Sequence, residues 1–293
     1  MIEAGRTPLQ TMQQVRSLLA QAGDEQAMSK ARCLMCALYE TDMHGLLMAT
    51  EPLNQPRAQR LADWVRRCLA GEPVQYILGQ ADFMGLAFTV TPDVLIPRRD
   101  SEVLAQWAIE QAPPGARVLD LCTGSGCLAI AVKHARTDVK MTATDISAAA
   151  LLVAQQNGRR LRTDVTWRQG DGCTPVQGES FDIILCNPPY ITVQEMQELE
   201  PQVFDFEPHL ALCGGTDGLD FYRRWISVCR RLLEPHGWLG MEIGYAQGAA
   251  VSAYMRAAGF ERVQILPDME RRDRVVVGYK GEGETDDRPL ETD

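Results

Sequence analysis

Asn187-Pro188-Pro189-Tyr190 follows a continuous apolar run, Ile183-Ile184-Leu185-Cys186, that reads as a buried strand. The tetrapeptide places an amide carbonyl, two rigid residues without N–H groups and an aromatic ring at one strand end. Each part has a use if the substrate is a planar NH2 group. The Asn187 side-chain oxygen and the Pro188 carbonyl accept its two hydrogens, Pro189 stiffens the turn, and the Tyr190 ring stacks on the plane. An amide or exocyclic amine nitrogen is a poor nucleophile because its lone pair is delocalised. Holding both N–H bonds aims that lone pair at an incoming methyl group and stabilises the charge that develops on nitrogen. In isolation the same residues also read as a turn with a surface Tyr.

A second constellation lies upstream. Asp120-Leu121-Cys122-Thr123-Gly124-Ser125-Gly126 ends one strand and opens a helix. Its glycines permit a tight turn and close ligand approach, and the helix start offers unpaired N–H groups. The loop lacks the third glycine of a dinucleotide fingerprint and the Gly-Lys-Ser/Thr that cradles a triphosphate. Asp145, about 20 residues further on, ends the next strand, where a carboxylate accepts from both ribose hydroxyls. Asp171, beside Gly172, follows the third strand. Carboxylates around a glycine turn suit an adenosine with an amino-acid tail and a positive sulfonium, and repel a pyrophosphate. Asp120 has a plainer alternative as a strand-end residue bonded to loop N–H groups.

Bringing these residues together requires alternating strands and helices. After Pro92 the pattern gives strands at Arg117–Leu121, Lys140–Thr144, Val165–Arg168, Phe181–Cys186, Gly237–Ile243, Arg262–Leu266 and Arg274–Tyr279. It gives helices at Cys127–Ala135, Ala148–Gly158, Phe221–Leu233 and Gly248–Ala258. This predicts an α/β fold with a doubly wound, mostly parallel sheet that binds ligands at the carboxyl ends of its strands.

From Leu9 to Ala70 the apolar spacing is helical and predicts about three to five helices, with Asp24 and Ser29 as candidate caps and Gly45 and Pro52 as breaks. Trp64–Cys68 reads as core. Val74–Ile77 and Leu86–Val90 read as strands of a β-hairpin. The expected organisation is an N-terminal helical substrate-binding domain (1–73), a β-hairpin linker (74–91), a catalytic α/β domain (92–280) and an acidic disordered tail (281–293).

The catalytic half resembles class I S-adenosylmethionine-dependent methyltransferases, which have a Rossmann-like fold. The resemblance implies that Cys122, Thr123, Gly124, Ser125 and Gly126 wrap the methionine part of S-adenosylmethionine, that Asp145 holds the ribose, and that Asp171 and Gly172 flank the adenine. Asn187 then borders both cofactor and substrate. The family loop often has Gly where this chain has Cys122. Asn-Pro-Pro-Tyr resembles the motif of amino-methyltransferases acting on glutamine amides, adenine N6 or cytosine N4.

Further segments narrow the choice. Gly71-Glu72-Pro73-Val74-Gln75-Tyr76-Ile77-Leu78-Gly79, Phe83-Met84-Gly85-Leu86, Leu95-Ile96-Pro97-Arg98, Phe206-Glu207-Pro208, Gly214–Leu219 with Phe221-Tyr222-Arg223, and Arg272-Asp273-Arg274-Val275-Val276 closely resemble the release factor glutamine methyltransferase family. Arg99 stands where that family commonly has Pro. The resemblance implies methylation of the side-chain amide nitrogen, N5, of the Gln in the Gly-Gly-Gln motif of peptide-chain release factors, gripped in part by the helical domain. A sister group modifies a ribosomal-protein glutamine and is the alternative; DNA adenine methylation ranks third, for want of a recognition domain. Arg98 reads equally as shaping the site or as a surface or hairpin-packing charge, and Glu207 and Tyr222 read equally as lining the substrate channel or as packing or capping residues.

Composition sets the outer bounds. The chain has 293 residues, 45% hydrophobic and 23% charged, as in folded globular proteins. Its net charge is −10, which disfavours bulk nucleic acid and anionic lipid, and direct nucleic-acid binding is not expected. Six acids against Arg288 give residues 281–293 a net of −5, so half of that charge lies in the tail. No apolar run approaches the roughly 20 residues of a membrane span, so a cytoplasmic location and no membrane partner are expected. Nine cysteines without paired spacing suit a reducing compartment, and Cys33-x-x-Cys36 reads as structural. His44, His134, His209 and His236 have no metal-ligand spacing, and no metal is expected.

Overall fold

A computed structural model describes residues 2–282; the acidic tail beyond Glu282 lies outside the described residues. The described chain divides into two compact units. One runs to Gln80 and includes Glu200–Phe206; the other comprises Ala81–Leu199 and the chain from Glu207 onward.

The first unit is helical: α1 (Pro8–Gln21), α2 (Ala27–Tyr39), α3 (Met43–Met48), α4 (Gln55–Leu69) and α5 (Val74–Leu78). Val15, Leu19, Leu34, Leu38, Leu61, Val65 and Cys68 share its core, with Trp64 partly buried against them. Thr7, Asp42 and Asn54 cap α1, α3 and α4 by accepting backbone N–H groups.

Three expectations fail here. Gly45 lies inside α3, because the break falls earlier, at left-handed Glu40 and the Asp42 cap. Ser29 lies inside α2, while Asp24 accepts from the Gln26 N–H ahead of the helix and from Lys30 Nζ. Val74–Ile77 is helix rather than strand. Pro73 accepts the Ile77 N–H at 3.1 Å, Gly79 closes the turn at φ 70, and Val74 and Ile77 pack into the helical core. A short apolar run carries no period long enough to separate the two structures.

The second unit opens with a two-stranded sheet, β1 (Gln80–Phe83) and β2 (Leu86–Thr89). Met84 and Gly85 turn it at φ 48 and 74, the positive pair that a two-residue type I′ turn needs. The order then runs α6 (Glu102–Gln111), β3 (Arg117–Leu121), α7 (Cys127–Ala135), β4 (Lys140–Asp145), α8 (Ala148–Arg160), β5 (Val165–Gln169), β6 (Phe181–Cys186) and α9 (Val193–Met196). After α10 (Pro201–Phe204), which belongs to the helical unit, come α11 (Asp220–Leu232), β7 (Leu233–Glu242), α12 (Gly248–Ala257), β8 (Glu261–Pro267) and β9 (Asp273–Tyr279). The strands stand in the order 5-4-3-6-7-9-8, with β5 to β7 parallel and β9 antiparallel to both β7 and β8.

Both faces of this sheet are covered. Val118, Ile183, Leu185, Val275 and Val277 point into one core, while Leu119, Leu121, Ile184, Cys186 and Val276 point into the other. This two-residue alternation explains why these strands read as unbroken apolar runs. Helix α6, absent from the sequence reading, covers the first core through Leu104, Ala105 and Trp107.

Candidate active site

The strand order reverses between β3 and β6, and register places the chemistry there. Leu121 pairs with Thr144 on one side and Cys186 on the other. The loop from Cys122, Asp145 at the end of β4 and Asn187 after β6 therefore emerge side by side. They border one cleft of about 1,140 Å³, mouth included.

Of the residues singled out from sequence, Cys122, Thr123, Gly124, Ser125, Asp145, Asp171, Gly172, Asn187 and Pro189 line this cleft. Gly126, Pro188 and Tyr190 do not. A Cβ on Gly126 meets Trp167 at 3.0 Å and Ala154 at 3.1 Å, so that glycine, at φ 81, packs loop against core. Pro188 is buried. Tyr190 packs partly buried against the second core, and its hydroxyl donates to Glu242 Oε1 at 3.3 Å. Burial pushes its phenol pKa up, which keeps that proton in place.

The glycine loop is held from beneath. Asp120, fully buried, accepts from Thr123 Oγ1 at 2.6 Å and the Ala129 N–H at 3.2 Å, leaving Oδ1 without a partner. Burial pushes its carboxyl up to about 7 against those two bonds. This is the plainer of the two roles the sequence left open for Asp120. Asp145 accepts from the Gly124 N–H and the Ser147 N–H, both at 2.8 Å, and its pKa is raised by burial despite them. Asp171 pairs with Arg224 at 2.7 Å. Gly172 is irreplaceable on steric grounds: at φ 51, a Cβ would stand 2.2 Å from the Trp225 ring.

Two expectations about the acceptor side change. Tyr222 has no exposed surface; its hydroxyl donates to the Glu242 carbonyl at 2.7 Å within the core, so it lines no channel. Glu207 is also buried and lies outside the cleft lining. Its carboxylate accepts from the Ile96 N–H at 3.2 Å and pairs with Arg98, fixing the Ile96-Pro97-Arg98 loop, while Arg98 itself lines the cleft.

Several residues at the site carried no local sequence signal. Asn157, fully buried, donates to the Ser125 and Thr89 carbonyls at 2.9 and 3.0 Å and accepts the Thr89 N–H at 2.7 Å, locking loop to hairpin. Ser101 lines the cleft and accepts from Asn187 Nδ2 at 3.2 Å. Glu242 stands buried behind it. A lone acid in the apolar run Met241-Glu242-Ile243 was the one available hint.

The arrangement fits the cofactor class inferred from sequence. A Cβ on Gly124 would meet nothing within 4 Å, so the loop leaves open space for a ligand against its backbone. Ser125 Oγ is buried on the cleft wall with no partner beyond the neighbouring Cys127 thiol. Leu128, Ile146, Leu210 and Phe221 give apolar walls for a purine, and Asp145 retains lone pairs for a ribose. Among the described residues no cluster of His, Cys, Asp and Glu is arranged to hold a metal ion, and no helix is long and apolar enough to cross a membrane.

Comparison with known proteins agrees with this geometry. Residues 99–204 match the Methyltransferase small domain and residues 10–79 the PrmC N-terminal domain. The crystal structure of a methyltransferase from Pyrococcus furiosus shares the fold, with a TM-score of 0.54 and 17% identity over 78% of this chain and 100% of that one. The chain is 39% identical to the release factor glutamine methyltransferase of Geobacter sulfurreducens over 91% of its own length and 94% of that protein. It is 42% identical to that of Cereibacter sphaeroides, over 88% and 93%. Similarity this extensive, spanning helical unit and catalytic unit alike, means that the chain belongs to the release factor glutamine methyltransferase family.

Proposed function

We propose that the protein methylates the side-chain amide nitrogen, N5, of the glutamine in the Gly-Gly-Gln motif of peptide-chain release factors. S-adenosylmethionine is the methyl donor and supplies an electrophilic methyl group. The observation that carries the reading is the placement of Asn187 on the cleft wall beside the glycine loop, with its Nδ2 turned to Ser101. That leaves Oδ1 as the end available to accept from a substrate NH2 group.

Asn187 Oδ1 takes one amide hydrogen and Pro189 forms the adjoining wall; the Pro188 carbonyl and the Tyr190 ring, which do not line the cleft as it stands, are proposed to take the second hydrogen and the amide plane when the substrate is seated. Fixing both N–H bonds localises the lone pair and favours the positive charge that grows on nitrogen as the new bond forms. Placement of this kind contributes up to about 7–11 kcal/mol. No group of shifted pKa has to remove a proton beforehand; the proton leaves to water after methylation. Cys122, Thr123, Gly124 and Ser125 cradle the amino-acid end of the donor, Asp145 its ribose, and Asp171 with Gly172 its adenine edge.

The helical unit, residues up to 80 with 200–206, is the proposed grip on the protein substrate, and its match to the PrmC N-terminal domain supports this. The reaction is proposed to take place in the cytoplasm, where release factors work. Incubating the enzyme with labelled S-adenosylmethionine and, separately, purified release factor, ribosomal protein and DNA tests the substrate class. Label in the release factor alone is expected, and label confined to either other acceptor contradicts the proposal.

A further inference from the structure

Asn187 is symmetric in shape but not in chemistry. Turned one way its amide offers an acceptor to a substrate NH2 group, and turned the other way it offers a donor that repels it. Nothing in Asn-Pro-Pro-Tyr itself selects the productive face.

The selection is made behind the motif. Asn187 Nδ2 reaches Ser101 Oγ, which is 2% exposed. A hydroxyl oxygen offers lone pairs to a donor, so at 3.2 Å Ser101 Oγ holds the NH2 end of Asn187 and leaves Oδ1 for the cleft, and the Ser101 hydroxyl also favours the ionised form of Glu242. The same carboxylate takes the Tyr190 hydroxyl on Oε1. Glu242 is 1% exposed, at the end of β7, the strand paired beside β6. Arg274 from β9 and Asp100 ahead of α6 also face it, and Arg274 is itself tied to Asp100 at 3.1 Å and Asp268 at 3.0 Å. Burial pushes the Glu242 carboxyl up to about 7, while Ser101, Arg274 and Tyr190 favour its ionised form. A buried acid with a carboxylate oxygen, Oε2, that has no hydrogen-bond partner is a cost that packing alone does not require.

We propose that Ser101 and Glu242 are positioning residues for the methylation, pinning the two ends of the tetrapeptide from behind: Ser101 accepts from Asn187 Nδ2, so that Asn187 Oδ1 faces the substrate amide, and Glu242 accepts from the Tyr190 hydroxyl. Through Tyr190 the same carboxylate fixes the far end of the tetrapeptide. This inference rests on the amide-methylation reading and adds the device that gives the amide grip its polarity.

The test is steady-state kinetics of Ser101→Ala, Glu242→Gln and the double variant with release factor as acceptor, beside calorimetry of S-adenosylmethionine binding. Gln keeps the shape of Glu242 but offers the Tyr190 hydroxyl an uncharged partner that can also donate, so it no longer fixes that end of the tetrapeptide. Each single change is expected to lower kcat by about 3- to 10-fold, the worth of one oriented neutral hydrogen bond. KM for the release factor and Kd for S-adenosylmethionine should stay within about twofold, because the loss falls on the transition state. The double variant should be no slower than the slower single variant, since both act by holding one tetrapeptide. Wild-type kcat in Ser101→Ala, losses that multiply in the double variant, or a loss carried by KM or Kd overturns the inference. Should Glu242→Gln fail to fold, Ser101→Ala alone decides it. A wild-type enzyme that leaves the release factor unmethylated overturns the functional reading and this inference with it; an active wild type matched by Ser101→Ala overturns the inference alone.

Discussion

The Gly124 N–H donates to Asp145 Oδ2 at 2.8 Å, so one carboxylate joins the glycine loop after β3 to the end of β4. With Oδ1 taken by Ser147, Asp145 shapes the loop before any ligand arrives and still has lone pairs to offer.

Asp145→Ala is therefore expected to weaken S-adenosylmethionine binding by about 10- to 100-fold, the equivalent of losing about 1.5–3 kcal/mol of charge-assisted hydrogen bonding. Isothermal titration calorimetry measures it directly. Unchanged affinity removes Asp145 from the ribose role.

Asn187→Ala acts on a different step. It leaves the loop and Asp145 intact, so cofactor binding persists, while kcat falls roughly 100-fold or more. Single-turnover methylation with pre-bound cofactor separates the two effects, and undiminished turnover excludes the amide grip.

Asn157→Ala tests the lock between hairpin and loop. It strips partners from the Thr89 N–H and the Thr89 and Ser125 carbonyls at a fully buried position. Unfolding free energy should fall by about 3 kcal/mol in denaturant titration. A loss below about 1 kcal/mol would mean that water replaces the lock at little cost.

Asp120 gives a pH signature. Its carboxyl titrates near 3.9 in an unfolded chain, whereas burial in the fold pushes it up to about 7. Between those values the folded state holds a proton that the unfolded state lacks. Its contribution to stability is thus complete below about pH 4 and is lost as pH rises through about 7. Asp120→Asn removes this dependence. Its stability relative to wild type should climb across that window by up to about 1.4 kcal/mol per pH unit. Parallel stability curves for the two proteins contradict the assignment.

What was legible in the sequence was what is encoded locally. Ile183-Ile184-Leu185-Cys186 is buried, so its apolar run marks a strand without outside help, and Gly124, Asp145 and Asn187 stand at or just past the ends of β3, β4 and β6. Val74–Ile77 reads as a strand because so short a run shows no period; only its packing with residues such as Val15, Leu34 and Val65 shows it to be helix. Ser101 meets Asn187 across 86 positions and Asn157 meets Thr89 across 68, separations at which one sequence carries no pairing signal. Tyr222 reads from sequence equally as a channel or a packing residue; helical geometry sends Phe221 to the cleft and Tyr222 into the core.

The cleft is proposed to methylate the amide nitrogen of a release factor glutamine. Mass spectrometric mapping of a release factor after incubation with enzyme and S-adenosylmethionine tests it most directly. The expected result is the mass of one methyl group on the Gln of Gly-Gly-Gln, present with wild-type enzyme and nearly absent with Asn187→Ala. A release factor left unmodified at that Gln by active, cofactor-bound enzyme would contradict the account.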